Sequence, residues 1–275
     1  SLDSYVSVLM MENKVVTKKV LERAGISVPG GYEYTSPEAG MADYRLYAGK
    51  PVVIKPKSTN FGLGITILKH NYDETDFKAA LQIAFEHDNT VLIEKFIPGR
   101  EFRIFIINDE VVGILHRVPA NVTGDGVLNI GQLIDMKNED PLRGKGYRTP
   151  LEKIRKGREE EMFLKQQGMD FNTVPKEREV VYLRENSNIS TGGDSIDFTD
   201  DIDDSYKAIA VEAAKALNVK ITGLDMMIQD IHAPATPDNY AIIEMNFNPA
   251  IHIHCYPFKG KNRHLNHKMI KALGF

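Results

Sequence analysis

The chain has one cysteine, Cys255, and no tryptophan in 275 residues. A single thiol excludes an internal disulfide framework and any CxxC metal knuckle, which fits a reducing compartment. Long apolar runs are also missing, and none approaches the roughly 18 residues that a membrane-spanning helix requires. The N-terminus lacks the charged-then-apolar form of a signal peptide. These absences lead us to expect a soluble, cytoplasmic protein with no membrane partner. No excess of one charge is present either: 34 basic residues stand against 38 acidic ones, a net charge of −4, and the basic residues form no single run. Nucleic acid is therefore not an expected partner.

What is present is ordinary globular material, 42% hydrophobic and 26% charged, long enough for one large domain or two closely packed lobes of α+β or α/β type. The first residues, SLDSYVSVLMMENKVV, read as the middle of a helix with no initiator methionine, so we expect a fragment of a longer chain. Residues 10–25 place Val16, Val20 and Leu21 at helical spacing and stop at Gly25. A polar region from about 123 to 199 is poor in strand signals and reads as an insertion.

The stretch from Ile221 to Ile251 reads as a hairpin, two apolar β-type runs joined by a polar, proline-containing loop. Because side chains alternate along a strand, Glu244 and Asn246 project to one side and Ile243, Met245 and Phe247 to the other. Asp225 sits within the apolar partner run. This pattern fits the solvated face of an ordinary hairpin, and it also fits a compact set of hard oxygen ligands suited to Mg²⁺. A carboxylate in Gly-Leu-Asp-Met-Met-Ile tips the balance, because buried alone it would need a cation or several donors beside it.

The segment PVVIKPKSTNFGLGITIL reads as strand, glycine loop, strand. It matches neither the GxxxxGK[ST] phosphate loop nor the dinucleotide fingerprint. Backbone N–H groups around Gly62 and Gly64, with Ser58, Thr59 and Asn60, suit phosphates, while a plain hairpin tip fits as well. Lys55 ends an apolar Val-Val-Ile run and must reach water or meet an anion. Lys14 is a second candidate. Further on, VLIEKFIPGREFRIFIINDEVVGILHRV predicts three strands with turns at Pro98-Gly99 and Asn108-Asp109. Glu94, Lys95 and Ile97 fall where a strand meets a turn and unpaired backbone groups suit an adenine edge; Glu101 is placed to accept from ribose hydroxyls.

Together, Lys55 in VVIKP, the loop STNFGLGI, the EKFIPGREFR segment and the GLDMMI and IIEMNFNP strands resemble the ATP-grasp ligase family. ENKVVTKKVLERAGISVP, HRVPANVTGDG, YLRENSNISTGGDSIDFTD and EMNFNPAIHIHCYPFKGKNR narrow this to modules at the C-terminal end of bifunctional γ-glutamylcysteine synthetase/glutathione synthetases. Cyanophycin synthetases share the VTGDG and LRENxNxSTGG elements. The resemblance implies an α+β ATP-grasp fold, with ATP held between the antiparallel sheets of two lobes: a glycine-loop lid near 30–100 and a metal lobe over 101–275.

It further implies ATP with Mg²⁺, or Mn²⁺, as cofactors. Lys14 and Lys55 would be ATP ligands, Lys95 and Ile97 would hold adenine through their backbone, and Glu101 would hold the ribose. Asp225, Glu244 and Asn246 would be metal ligands. Arg117 and Arg184 would face the phosphates or the acyl intermediate, and Asn186, Gly192, Gly193 and Asn248 would face substrate. The implied substrates are γ-glutamylcysteine and glycine, the implied partner is a fused γ-glutamylcysteine synthetase domain, and a homodimer is among the assemblies it allows. In one departure, related ligases carry a further N-terminal lobe before the first lysine helix. A non-catalytic ATP-binding module is the rival from another class. His252, His254 and Cys255 read as a metal site, as the mouth of a substrate pocket on alternate strand positions, or as simple packing.

Overall fold

The computed structural model describes residues 2–58, 63–69 and 71–275. From the N-terminus the elements are α1 (Tyr5–Glu12), α2 (Lys14–Arg23), β1 (Gly31–Tyr34), α3 (Pro37–Ala42), α4 (Tyr44–Tyr47), β2 (Val52–Pro56), β3 (Thr66–Leu68), α5 (Glu74–Phe85), β4 (Val91–Lys95), β5 (Arg100–Ile107) and β6 (Glu110–Val118). There follow β7 (Asn121–Thr123), α6 (Ile130–Lys137), β8 (Arg143–Gly144), β9 (Leu151–Glu152), α7 (Arg158–Gln166), β10 (Val180–Tyr182), β11 (Asp194–Asp197), α8 (Asp204–Ala216), β12 (Ile221–Ile228), β13 (Tyr240–Asn246), α9 (His252–Cys255) and α10 (Leu265–Ala272). One compact unit gathers Ser1–Arg100, Ile104–Val111 and Asp201–Pro249, and the other Glu101–Arg103, Val112–Asp200 and Ala250–Phe275. This division cuts across the lobes expected at 30–100 and 101–275, since hairpin β12–β13 falls in the same unit as β1 to β4.

In the first unit an antiparallel sheet runs in the order β1-β4-β2-β3. Strand β2 alternates as its sequence demands: Val52, Ile54 and Pro56 are buried, while Val53 and Lys55 lie on the opposite side. Val52 and Ile54 join Val91, Ile93 and the inner face of α5 in one apolar cluster around Phe77. The Phe77 ring lies 5.2 Å from that of Tyr44 and 5.7 Å from that of Tyr47. Emptying this position would cost about 3–5 kcal/mol. Helix α5 starts where Asp73 and Asp76 cap each other's backbone N–H groups.

The helix expected over 10–25 is in fact two. Asn13 has extended backbone angles, and its side-chain oxygen accepts from the N–H groups of Val15 and Val16, ending α1 and capping α2 in one step. The buried side of α2 is also not the valine stripe: Thr17, Lys18 and Leu21 are buried and Val16 is exposed. The turns at Pro98-Gly99 and Asn108-Asp109 are present. Gly99 has φ +132, and a Cβ there would lie 2.4 Å from the Ile228 carbonyl oxygen, so glycine is required. Asn108 and Asp109 both take positive φ, the conformation of a tight two-residue hairpin. Hairpin β12–β13 pairs antiparallel with a bulge after Asp225, where Ile243 is the unmatched residue.

The second unit holds the polar region that reads as an insertion. It has its own apolar core, in which Val122, Ile130, Leu133, Ile134, Ile154, Leu164, Val181 and Leu183 are buried. Around it, β7 pairs antiparallel with β10, β8 pairs parallel with β9, and β6 pairs antiparallel with β11. Residues His252 to Cys255 form a helical turn, so they do not occupy alternate strand positions. Among the described residues no helix is long and apolar enough to cross a membrane.

Candidate functional site

The first unit concentrates charge on one face of its strands. Glu94 of β4 pairs across from Val53 of β2, so Lys55, two residues on, is its diagonal neighbour on the side away from the apolar cluster. Lys55 Nζ lies 2.8 Å from Glu94 Oε2, and the other carboxylate oxygen, Oε1, is taken by Lys18 of α2. All three side chains are largely buried, with Glu94 only 4% exposed. Burial pushes Lys55 down to about 8, and the nearby cation Lys14 pushes the same way while Glu244 opposes. Lys18 is lowered as well, first by burial and then by Lys55 and Lys14. Lys14, one turn before Lys18, lines a small cavity with Lys18, Glu244 and Met245.

Beside these lysines lies the hairpin face. Asp225 and Glu244 are directly opposite in register, so both carboxylates share a face; Asn246, two residues on, shares it and stands across from Gly223, which has no side chain to fill the space. Asp225 is 2% exposed. The amide nitrogen of Asn246 is buried and has no hydrogen-bond partner among the described residues. Two carboxylates and the amide oxygen of Asn246 are the oxygen set that a hard divalent cation takes, and the orphaned NH2 group can donate to a water of its hydration shell, so the residues fit a hard metal ion. Among the described residues no three His, Cys, Asp or Glu side chains converge as a metal cluster, so the set depends on the asparagine as its third member.

The remaining candidates of the first unit divide. The Lys95 N–H donates to the Gly30 carbonyl oxygen at 2.8 Å, so this N–H is already taken. Ile97 is half-buried and Asn248 exposed. The Ser58 N–H donates to Asp88 Oδ2 at 2.7 Å, and Gly64 has φ +74 with Pro56 and His87 crowding the place a Cβ would take. Gly62, with Thr59 and Asn60, lies outside the described residues.

In the second unit Glu101 is held by two groups, Arg117 on one carboxylate oxygen and the Ser187 hydroxyl at 2.9 Å on the other. Arg184 is engaged by α7: its Nε donates to Glu160 Oε1 at 2.6 Å, and Glu159 takes a second nitrogen. Asn186 accepts from the Thr191 hydroxyl at 2.9 Å. The glycine pair has a steric cause, since a Cβ on Gly192 would lie 2.8 Å from the backbone of Ile154 and one on Gly193 2.8 Å from the Val118 carbonyl oxygen. His254 is fully buried and pushed down to about 3, chiefly by burial. A Cβ on Gly113 would lie 2.7 Å from its Nδ1.

Two features escaped the reading of the sequence. Lys18 is one; helical periodicity places a lysine outside, whereas its partner Glu94, 76 residues away, holds it in. The other is Asp194, buried between Arg143 and Lys137, with Asn121 Nδ2 donating to it at 2.9 Å and the Phe258 ring covering both cations.

The family described as D-ala D-ala ligase C-terminus matches residues 33–132. The chain is 62% identical over 275 residues to the glutathione biosynthesis bifunctional protein GshAB of Desulfotalea psychrophila, covering 100% of this chain and 35% of that protein. It is 55% identical over 273 residues to the protein of the same name from Clostridium perfringens, covering 99% of this chain and 35% of that one. The crystal structure of a bifunctional glutathione synthetase from Pasteurella multocida superposes with a TM-score of 0.76 at 50% identity, over 99% of this chain and 38% of that one. D-alanine–D-alanine ligase from Bacillus anthracis, at 19% identity, TM-score 0.53, and coverage of 89% and 59%, shares the fold. The chain thus spans about a third of the length of the curated relatives it matches. The ATP-grasp resemblance drawn from the sequence motifs is borne out, and so is the α+β fold.

Proposed function

We propose that this chain, an ATP-grasp module similar from end to end to about a third of the bifunctional glutathione biosynthesis proteins, is an ATP-dependent ligase joining a carboxylate to an amine. Its substrates are γ-glutamylcysteine and glycine, and its products glutathione, ADP and phosphate. The observation that supports this reading most strongly is 62% identity over all 275 residues to a bifunctional glutathione biosynthesis protein. The lysines around Glu94 and the two carboxylates with Asn246 on one hairpin face supply the charges such a reaction needs.

The γ-phosphoryl group passes to the γ-glutamylcysteine carboxylate as the bond to the ADP oxygen breaks. The glycine amine then attacks the acyl carbon, the C–N bond forms, a proton leaves the nitrogen, and phosphate departs with the former carboxylate oxygen. Catalysis here is mostly positioning and charge neutralisation. Lys55 and Lys14 bind phosphate oxygens, with Ser58, Gly62 and Gly64 as further nucleotide contacts. Glu94, Lys95 and Ile97 bound the adenine, and Glu101, already oriented by Arg117 and Ser187, accepts from the ribose. Arg117 and Arg184 face the transferring group, while Asn186, Gly192, Gly193 and Asn248 hold the acyl donor. Asp225, Glu244 and Asn246 would hold Mg²⁺ or Mn²⁺, which when bound neutralises phosphate charge. We place the protein in the cytoplasm, joined to a γ-glutamylcysteine synthetase domain, with a homodimer as a further assembly.

An isotope experiment tests the acyl phosphate route. With ¹⁸O in the glycyl-accepting carboxylate of γ-glutamylcysteine, one ¹⁸O should appear in the released phosphate. Phosphate free of label would contradict it.

A further inference from the structure

The geometry points to Lys18 as a positioning residue for nucleotide binding, acting through Glu94 on Lys55; this rests on the ligase reading above. A carboxylate offers two oxygens, and a lone Lys55–Glu94 pair would be free to close on both. Here Lys18 occupies Oε1, so Lys55 meets only Oε2, at 2.8 Å. An ammonium group has three donors, and this arrangement leaves Lys55 donors to spend on a ligand. Two lysines share one carboxylate where Glu94 is 4% exposed and Lys18 9%, with Lys14 and Glu244 lining the same small cavity as Lys18.

Lys18 is suited to this work because it comes from a different layer. It sits on α2, whose buried face is Thr17, Lys18 and Leu21, and it reaches across to β4. Lys14, four residues earlier on the same helix, lines the same small cavity as Lys18. Burial and the neighbouring cations Lys55 and Lys14 push Lys18 down to about 6, and the contact with Glu94 favours its charged form.

The test is calorimetric titration of ATP, then ADP, into wild type, Lys18→Met, Lys18→Arg, Glu94→Gln and the double variant Lys18→Met/Glu94→Gln. Loss of one charge-assisted contact predicts that Lys18→Met raises Kd for ATP about tenfold, and that Lys18→Arg, which keeps the cation, restores most of it. Because Lys18 acts through Glu94, its removal should change Kd less than about twofold in the Glu94→Gln background. A purely structural lysine would lower the melting temperature with unchanged Kd, and that result overturns the inference alone. Full additivity in the double variant, or no recovery by Lys18→Arg, overturns it too. If wild type binds neither nucleotide, both this inference and the ligase reading fall. Should Lys18→Met not fold, the Lys18→Arg and Glu94→Gln titrations decide: unchanged Kd in both overturns the inference.

Discussion

Glu94 Oε2 lies 2.8 Å from Lys55 Nζ at the diagonal position between β4 and β2, with both side chains buried. The contact orients Lys55 toward the charged side of the sheet, and an incoming phosphate has only to add to a cation already in place. Lys55→Met should therefore weaken ATP binding by about a hundredfold, and Lys14→Met by roughly tenfold, since Lys14 sits at the half-buried start of α2. Titration calorimetry giving the reverse order contradicts this ranking.

Burial lowers Lys55 to about 8, so the free site begins to lose that positive charge above this pH. A bound polyphosphate favours the charged form and raises the pKa. ATP binding near pH 8 to 9 should then take up protons, and affinity should fall as pH rises through 8. For stability the sign is opposite: the unfolded lysine holds its proton to about 10.5, so between pH 8 and 10.5 the unfolded state binds more protons and stability rises with pH from this group. Binding heats in buffers of different ionisation enthalpy measure the uptake. Lys55→Met should lose it, and retention in that variant counts against the assignment.

Asp225→Asn and Glu244→Gln should each lower turnover by about two orders of magnitude or more, because each removes one of the two carboxylates that share the hairpin face. Folding should survive, since the amides are nearly isosteric. Circular dichroism and steady-state kinetics over a Mg²⁺ series check both points. Near-normal rates with unchanged metal dependence would remove these residues from the metal site.

Asp194 makes a prediction about stability alone. Its replacement by alanine leaves Arg143 and Lys137 without the carboxylate that compensates them, at a cost of about 3–5 kcal/mol. Removing Asp135, whose pair with Lys156 is exposed, should cost under about 1 kcal/mol. Urea unfolding of both variants compares them, and similar losses would contradict the burial argument.

Much of the hairpin was legible because alternation with a period of two is a strong signal over strands of 8 and 7 residues. The bulge at Ile243 was not, since nothing local marks it. The region 123–199 hid its structure because its strands have 2 to 4 residues, too few to show alternation. Asn13 is a readable signal: an asparagine before Lys-Val-Val is a helix N-cap. The pairings of Lys18 and Arg184 lay beyond the sequence's reach, because their partners Glu94 and Glu160 are 76 and 24 residues distant. The HxHC run misled in a different way, as four residues fit a strand or a helical turn equally well until tertiary packing selects the turn.

The substrate assignment is tested most directly by coupled ADP release, with product identified by mass spectrometry. γ-Glutamylcysteine plus glycine should give ADP, phosphate and glutathione in equal amounts, with none from D-alanine or from an aspartate polymer plus arginine. Turnover confined to the aspartate polymer and arginine, with none on γ-glutamylcysteine and glycine, would contradict the account.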